Sequence, residues 1–249
     1  MSDLSQSDWS SRLDNQVLVQ WEYASEERLR TRNAIYRELV EGPNAEDAAF
    51  AAVVEVSPKR VLDAGCGTGD ISVRIAEEVG ADVVALDLSP RMVQIARERG
   101  LEAVVGDVQE LPFADGEFDC VLAAWVIYHV PDRDRAISEL ARVLSAGGRL
   151  VAVTLAEDNL AEIWDVLGAP WEREITFDRD NGADQLARHF ARVERRDVDS
   201  TVVFPNSDTV RTLVAAQMTR AHLAANVPTF SEPLVAHAHH AVFVAEKAG

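Results

Sequence analysis

The chain has 249 residues, of which 42 are acidic and 24 are lysine or arginine, so its formal net charge at neutral pH is −18. So acidic a surface repels a phosphate backbone, which argues against a nucleic-acid-binding protein. No run approaches the roughly 18 consecutive apolar residues of a membrane-spanning helix, and two cysteines, Cys66 and Cys120, are too few for a disulfide framework. We therefore expect a cytoplasmic protein that binds neither nucleic acid nor membrane.

Residues 1–57 are predicted to form a helical segment in front of the main domain. Apolar residues recur at helical spacing from residue 16 to residue 40, and Gly42 follows them as a helix terminator. Asn44 has a side chain suited to the N-cap of a further helix. We expect these helices to form a cap over the active site, and we assign the main domain to residues 58–249.

From residue 60 onward, short apolar strands alternate with helical segments. This alternation is typical of a parallel sheet with helices on both faces, the doubly wound α/β class. The stretch 156–190 is less regular, and we predict that it forms a substrate lid inserted into the domain. Strands are predicted at 60–64, 82–86, 101–105, 118–124 and 149–154, and near 198–204 and 241–245.

The most informative stretch is residues 61–69, Val-Leu-Asp-Ala-Gly-Cys-Gly-Thr-Gly. An apolar strand ends near Asp63, three glycines follow at a spacing of two, and a helical segment begins at Asp70. Glycine permits positive φ angles and a close approach of a ligand to the backbone, and the N-terminus of the next helix offers free N–H groups. The pattern predicts a nucleotide-like ligand at this turn.

The spacing of the glycines distinguishes between two such ligands. In the dinucleotide fingerprint G-x-G-x-x-G the third glycine follows the second by three residues, whereas Gly69 follows Gly67 by two. A carboxylate at Asp70 would repel a pyrophosphate, while Asp63 can accept a hydrogen bond from an ammonium group. The sequence thus favours a cationic or zwitterionic ligand over NAD.

Two further acids follow the next two predicted strands. Asp87 lies 22 residues after Gly65, where an acid can accept both ribose hydroxyls of an adenosine. Asp107 and Val108 follow the third strand. Because the carboxyl ends of parallel strands meet at one edge of the sheet, Asp107 can accept from an adenine amino group and Val108 can pair through its backbone.

Together these motifs resemble the class I S-adenosylmethionine-dependent methyltransferases. Residues 63–69 match the family's first motif, Asp-x-Gly-x-Gly-x-Gly, residues 109–113 are typical of the family, and residues 140–150 match its last core motif. The resemblance covers residues 60–155 and is greatest to the subgroup with quinone-biosynthesis and natural-product enzymes. It implies a Rossmann-like, seven-stranded sheet of order 3-2-1-4-5-7-6, with the last strand antiparallel.

The resemblance also implies S-adenosyl-L-methionine as the cofactor. Trp21 and Tyr23, ahead of the domain, would supply an aromatic wall for its sulfonium, or would simply pack as helix residues. The predicted cofactor-binding residues lie in that segment and at the ends of the strands: Tyr23, Asp63, Gly65, Cys66, Gly67, Asp87, Leu88, Met92, Asp107, Val108, Gln109 and Ala124.

His129 is our candidate catalytic base. It lies five residues after Ala124, near the catalytic edge, and imidazole titrates near neutral pH. The alternative is a positioning or structural role. We expect His237, His239 and His240 at an exposed strand edge, because a zinc site would need further ligands.

We predict methyl transfer to a small-molecule acceptor by a monomer or homodimer. No acid lies between Asp119 and Asp132 to hold a metal ion after the fourth strand, so we expect no metal. The two lysines, Lys59 and Lys247, flank the domain, unlike the core lysines of ribose-methylating enzymes. The alternatives are a non-catalytic or regulatory S-adenosylmethionine-binding protein, an RNA-modifying methyltransferase and an NAD enzyme.

Overall fold

The computed structural model describes residue 14 and residues 16–169, 175–217 and 220–249. Residues 1–13 of the predicted cap and residues 170–174 of the predicted lid lie outside the described residues. The described chain is an α/β fold in which one mixed sheet is covered by helices on both faces. The predicted fold class is therefore confirmed.

The sheet has eight strands among the described residues, in the order β1-β7-β8-β6-β5-β2-β3-β4. Strands β2 to β6 are mutually parallel, and β8 is antiparallel to both of its neighbours. If β2 is numbered 1 and the later strands follow in chain order, the sheet read from the β4 edge has the predicted order 3-2-1-4-5-7-6. The predicted count of seven was wrong by one, because β1 pairs with the edge strand β7. The strands are β1 (Val40–Glu41), β2 (Arg60–Ala64), β3 (Asp82–Asp87), β4 (Glu102–Val105), β5 (Phe118–Ala124), β6 (Leu144–Leu155), β7 (Arg192–Phe204) and β8 (Leu234–Glu246).

Most helices begin where the sequence offers a capping side chain. Asn44 accepts from the amide of Glu46, and Ser89 accepts from the amide of Met92 at the start of a helix with Pro90 at its first position. In the part of the chain that the structure describes, no helix is both long enough and apolar enough to cross a bilayer. The helices are α1 (Gln16–Glu22), α2 (Glu26–Leu39), α3 (Ala45–Val54), α4 (Asp70–Arg74), α5 (Pro90–Glu98), α6 (Arg133–Val143), α7 (Ala161–Val166), α8 (Gly182–Leu186) and α9 (Ser207–Ala215).

The core lies on both faces of the sheet because successive residues of a strand point to opposite sides. On one face, Leu62 belongs to a buried cluster that includes Leu140 of α6. On the other face, Val61 belongs to a cluster that includes Phe50 of α3. Helix α3, although it falls within residues 1–57, is thus part of the main core.

Helices α1 and α2 lie at the carboxyl edge of the parallel strands and are held there largely by polar contacts. Helix α2 has no fully buried residue. Arg91 of α5 forms an ion pair with Glu26, and the Ser89 hydroxyl donates to the Tyr23 carbonyl at 2.9 Å. Apolar packing is confined to one side of α2, where Tyr36 and its neighbours meet the cluster of α9 and β7.

The described part of the predicted lid, residues 156–190, packs mainly against the sheet. Phe177 is fully buried, its ring lies 5.7 Å from that of Phe243 on β8, and its carbonyl accepts from the Thr154 hydroxyl at 2.6 Å. Only Asn159 and Leu160 of these described lid residues line the cavity discussed below. A lid role for the stretch stays a prediction.

Gly182 tests how tightly this layer packs. A Cβ atom at Gly182 would lie 2.5 Å from Cε2 of Phe243 and 3.1 Å from Cζ of Phe177. We expect Gly182→Ala to lower the free energy of unfolding by about 1–3 kcal/mol, the cost of overpacking a close-packed core. Urea denaturation measures this change.

The matched control is Gly249→Ala, where a new Cβ meets no atom within 4 Å. This substitution should leave the unfolding midpoint unchanged. Equal midpoints for the two variants would show that the rings adjust without cost.

Candidate active site

A cavity of about 400 Å³ lies at the edge where the parallel strands end. Doubly wound sheets bind their ligands at this edge, and small-molecule sites commonly occupy roughly 300–1,000 Å³. One end of the cavity is bounded by the turns that follow β2, β3 and β4. The other end is bounded by α2, β7, β8 and α9.

The glycine loop after β2 forms the floor of the first end. Gly65 and Gly67 have φ angles of +85° and +53°, which residues with a Cβ rarely adopt. A Cβ on Gly65 would collide with the side chain of Val126, which follows β5. Cys66 lies between the glycines, and burial raises the pKa of its thiol, so the thiol stays protonated at neutral pH.

Asp63 is a buried carboxyl group at the end of β2. Only 3% of its surface is exposed, and the Ser72 hydroxyl of α4 donates to it. Burial, offset in part by the Ser72 hydrogen bond and aided by the nearby Asp87 charge, raises the pKa of Asp63 to about 7, and no cationic side chain of the described residues lowers it. A cationic group on a ligand would therefore complete this site.

Asp87 and Asp107 are oriented by backbone amides at the ends of the next two strands. Asp87 accepts from the amides of Gly67 and Ser89, each at 2.8 Å, and burial nevertheless raises its pKa. Asp107 accepts from the Gln109 amide at 2.8 Å and from its side chain. Both carboxyl groups line the cavity, and each carboxylate oxygen can accept more than one hydrogen bond.

His129 lies opposite this end, in a short 3₁₀ turn, Ile127–His129. The Tyr23 hydroxyl lies 3.2 Å from Nε2 of His129, and the two rings meet edge to face at 5.7 Å. Burial raises the pKa of Tyr23, which keeps the phenol protonated at neutral pH. Trp21 is 62% exposed and lies outside the cavity lining, so Tyr23 is the member of the predicted aromatic pair that reaches the site.

The structure brings all but one of the predicted site residues to the cavity. Met92 is fully buried, because its turn of α5 packs inward, and it does not line the cavity. The roles of the others stay predictions. Those that line the cavity are Tyr23, Asp63, Gly65, Cys66, Gly67, Asp87, Leu88, Asp107, Val108, Gln109, Ala124 and His129.

The negative charge of Asp70 is balanced by ion pairs that the sequence does not reveal. Its carboxylate forms ion pairs with Arg99 and with Arg37 of α2. Burial raises its pKa, but these arginines more than offset that effect and hold it below its usual value. Repulsion of a pyrophosphate by Asp70 is therefore weaker than expected, and the glycine spacing is the firmer argument against NAD.

Sequence reasoning missed the residues of the second end of the cavity. His240, expected at an exposed strand edge, is only 6% exposed and lines the cavity with Tyr36 and Trp125. The signal was present: along a strand, His240 points to the face opposite His237 and His239. No group of three or more potential metal ligands is found within the described ranges.

The comparisons with known proteins agree with this geometry. Residues 62–152 match the family model described as a methyltransferase domain. The chain is 44% identical over 112 residues to a demethylmenaquinone methyltransferase of Thermus thermophilus, covering 42% of this chain and 51% of that protein. It is 36% identical over 144 residues to a tocopherol O-methyltransferase of Arabidopsis thaliana, covering 52% and 40%. The matches span about half of these relatives or less.

Solved structures share the fold at low sequence identity. Protein BH2331 of Bacillus halodurans matches with a TM-score of 0.62 at 19% identity, covering 81% of this chain and 100% of that one. The [4+2]-cyclase SpnF matches with a TM-score of 0.56 at 21% identity, covering 82% and 79%. These likenesses establish the fold alone.

The cavity suits a nucleoside that carries an amino acid and no phosphate. Asp63 is a buried acid without a cationic partner in the described part of the chain, and Asp87 and Asp107 present carboxylates in place of the basic groups that a phosphate would need. S-adenosylmethionine has an ammonium group, a ribose and an adenine for these three acids. Residues 62–152 thus match a methyltransferase domain, and the cavity beside them suits S-adenosylmethionine.

Proposed function

We propose that this protein transfers the methyl group of S-adenosylmethionine to a small-molecule acceptor. The observation that carries the proposal is the continuity of the cavity. The end with Asp63 and Asp87 opens into an apolar end lined by residues such as Val202 and Leu213, so an acceptor can sit beside the cofactor. The names of the two relatives reported above refer to tocopherol and demethylmenaquinone. Both are small molecules, which supports a small-molecule acceptor.

The surface around the cavity favours a small molecule over RNA. The arginines of α2 that line the cavity are engaged by acids: Arg32 pairs with Glu22, and Arg37 pairs with Glu46 and Asp70. With a net charge of −18, the protein lacks the basic footprint that a phosphate backbone requires. A cytoplasmic location and a monomeric or dimeric state remain predictions.

The chain contributes chiefly by orientation. The cofactor, when bound, supplies an electrophilic methyl group. Asp63, Asp87 and Asp107 fix the position of its non-reacting parts, and α2 with Tyr23 covers the cavity and limits the access of water. When the acceptor and the cofactor are bound side by side in line, the methyl transfer no longer depends on their meeting in solution. This effect accounts for much of the rate increase expected of such a site.

His129, which lines the cavity, is our candidate for the group that takes the proton from an acceptor hydroxyl or amine. Its Nε2 atom meets the Tyr23 hydroxyl, which holds the ring toward the cavity. As the acceptor attacks the methyl group it loses a proton, and a half-buried imidazole at this edge can accept it. Tyr23 then acts as the positioning residue of His129.

The alternative is a regulatory or otherwise non-methylating role. The likeness in fold to a [4+2]-cyclase shows that this fold also carries other chemistry.

Two measurements separate these functions. The first is calorimetry with S-adenosylhomocysteine and with NAD. The second follows the transfer of a labelled methyl group from S-adenosylmethionine to a panel of phenols, amines and transfer RNA. We expect saturable binding of S-adenosylhomocysteine, no NAD binding, and label in a small molecule.

Each alternative has its own result in that experiment. NAD binding without a response to S-adenosylhomocysteine would overturn the cofactor assignment. Label in RNA would exclude the small-molecule proposal. Tight binding of S-adenosylhomocysteine without label in any acceptor would favour a regulatory protein.

Asp63 predicts how cofactor binding depends on pH. Its pKa of about 7 in the ligand-free protein means that the group must lose a proton before it pairs with the ligand's ammonium. Affinity for S-adenosylhomocysteine should therefore rise between pH 5.5 and pH 7.0, by up to about tenfold per pH unit. Calorimetry in two buffers of different ionisation enthalpy should also detect proton release on binding.

The control for this prediction is Asp63→Asn, which keeps an acceptor for Ser72 and removes the titration. The variant should bind weakly and without the pH slope. A raised pKa in the folded state stabilises the ligand-free protein at low pH, and this contribution is lost as the pH rises from about 4 through about 7. Asp63→Asn should lack that decline; an unaltered pH slope in the variant would assign the titration to another group.

If His129 is the base, His129→Ala should lower kcat by about 10²-fold or more and leave the Kd for S-adenosylhomocysteine nearly unchanged. The limb of the pH profile near neutral pH should disappear with it. If His129 only positions the acceptor, KM should rise while kcat changes little. A structural role would appear chiefly as a lower Tm.

His189→Ala is the matched control for His129→Ala. His189 pairs with Asp134 on the surface and lies outside the cavity lining, so its loss should leave kcat and the pH profile as they are. Wild-type kcat in His129→Ala would end the general-base proposal.

A further inference from the structure

The second end of the cavity is a chamber with mostly apolar walls, which we call the acceptor chamber. Trp125 reaches it from a strained position, since its φ of +56° is rare for a bulky residue. Val202 and Phe204 form its base and are fully buried. The chamber is defined here by Tyr36, Trp125, Val202, Phe204, Leu213 and His240.

His240 lies at the edge of the sheet where the chemistry takes place. In the register of β8 it is opposite Leu155, the last residue of β6, and opposite Val198 of β7. Ala124, the last residue of β5, is paired with Val153 of β6, only two residues before Leu155. The imidazole therefore stands beside the ends of the same parallel strands that hold the cofactor residues.

The ring of His240 is enclosed by aromatic neighbours. Tyr36 and Trp125 meet it edge to face, with ring centroids at 5.8 and 5.9 Å. Its Nδ1 atom is buried and has no hydrogen-bond partner among the described residues. Because Nδ1 is closed off, a ligand can meet the ring only at Nε2, which is not among the buried nitrogen atoms without a partner.

The imidazole is uncharged at neutral pH. Burial and, to a smaller extent, the neighbouring His239 lower the pKa of His240 to about 4, against the opposing effect of Asp199. A neutral imidazole has one N–H donor and one nitrogen acceptor. It suits a hydroxyl group, which can donate and accept, and it does not attract a charged ligand.

We propose that His240 positions the methyl acceptor by hydrogen bonding to a hydroxyl group through Nε2, and that the acceptor is a hydroxylated ring compound. The apolar and aromatic walls receive the ring, and the imidazole is the polar group that fixes its orientation. This inference rests on the proposed function and names the acceptor class for that site.

The test compares two probes that differ by one hydroxyl group, 2-naphthol and naphthalene. Their affinities for wild-type protein saturated with S-adenosylhomocysteine, for His240→Phe and for His240→Gln are measured by calorimetry. Wild type should prefer 2-naphthol by roughly three- to tenfold more than His240→Phe does, the range that one neutral hydrogen bond gives. His240→Phe should keep its affinity for naphthalene, and His240→Gln should recover part of the preference.

An equal preference in wild type and His240→Phe would overturn the proposal, as would failure of both probes to bind wild type. A second measurement needs no variant: 2-naphthol, and not naphthalene, should shift the imidazole ¹⁵N resonances of His240 in labelled wild-type protein. The absence of that shift would also overturn it. If the protein does not bind S-adenosylhomocysteine, the proposed function is refuted instead. The inference about His240 can still be tested in that case by titrating 2-naphthol and naphthalene into the ligand-free protein.

Discussion

The site depends on how closely the chain after β5 approaches the glycine loop after β2. At Gly65 the two segments touch where a Cβ atom would otherwise stand, and the positive φ of Gly65 allows the loop to turn beneath Val126. This contact sets the course of the segment that carries Trp125 and His129. The two ends of the cavity therefore adjoin at a contact that a side chain at residue 65 would block.

The chemistry of the cavity depends on two buried ionisable side chains that line it, Asp63 and His240. Burial favours the neutral form of both groups, so His240 is uncharged at neutral pH and Asp63, with a pKa of about 7, is only partly ionised there. The protein tolerates both because each faces a cavity in which a ligand can complete its hydrogen bonds. An ammonium group suits the first and a hydroxyl group the second.

The N-terminal helix α2 is held in place more by ion pairs than by buried apolar side chains. Helix α2 closes the cavity yet has no fully buried residue, and ion pairs such as Arg91 with Glu26 hold much of it in place. Partly exposed ion pairs contribute little stability each. A helix held in this way can separate from the sheet at a smaller cost in free energy than a helix such as α3, whose apolar face is part of the core.

The sequence by itself determined the alternation of strands and helices, the glycine loop and the acids at three strand ends, because these depend on local patterns: apolar runs, glycine spacing and the common edge of parallel strands. The sheet order came instead from the resemblance to a known family. Met92 lies buried outside the cavity lining, which the sequence did not reveal because the spacing of a helix does not show which way its first turn faces. His240 was misplaced because its environment comes from Tyr36 and Trp125, which are more than 100 residues away in the chain. Only the tertiary structure decided the acceptor end, since its walls come from α2, β7, β8 and α9, and their convergence depends on how the far edge of the sheet packs.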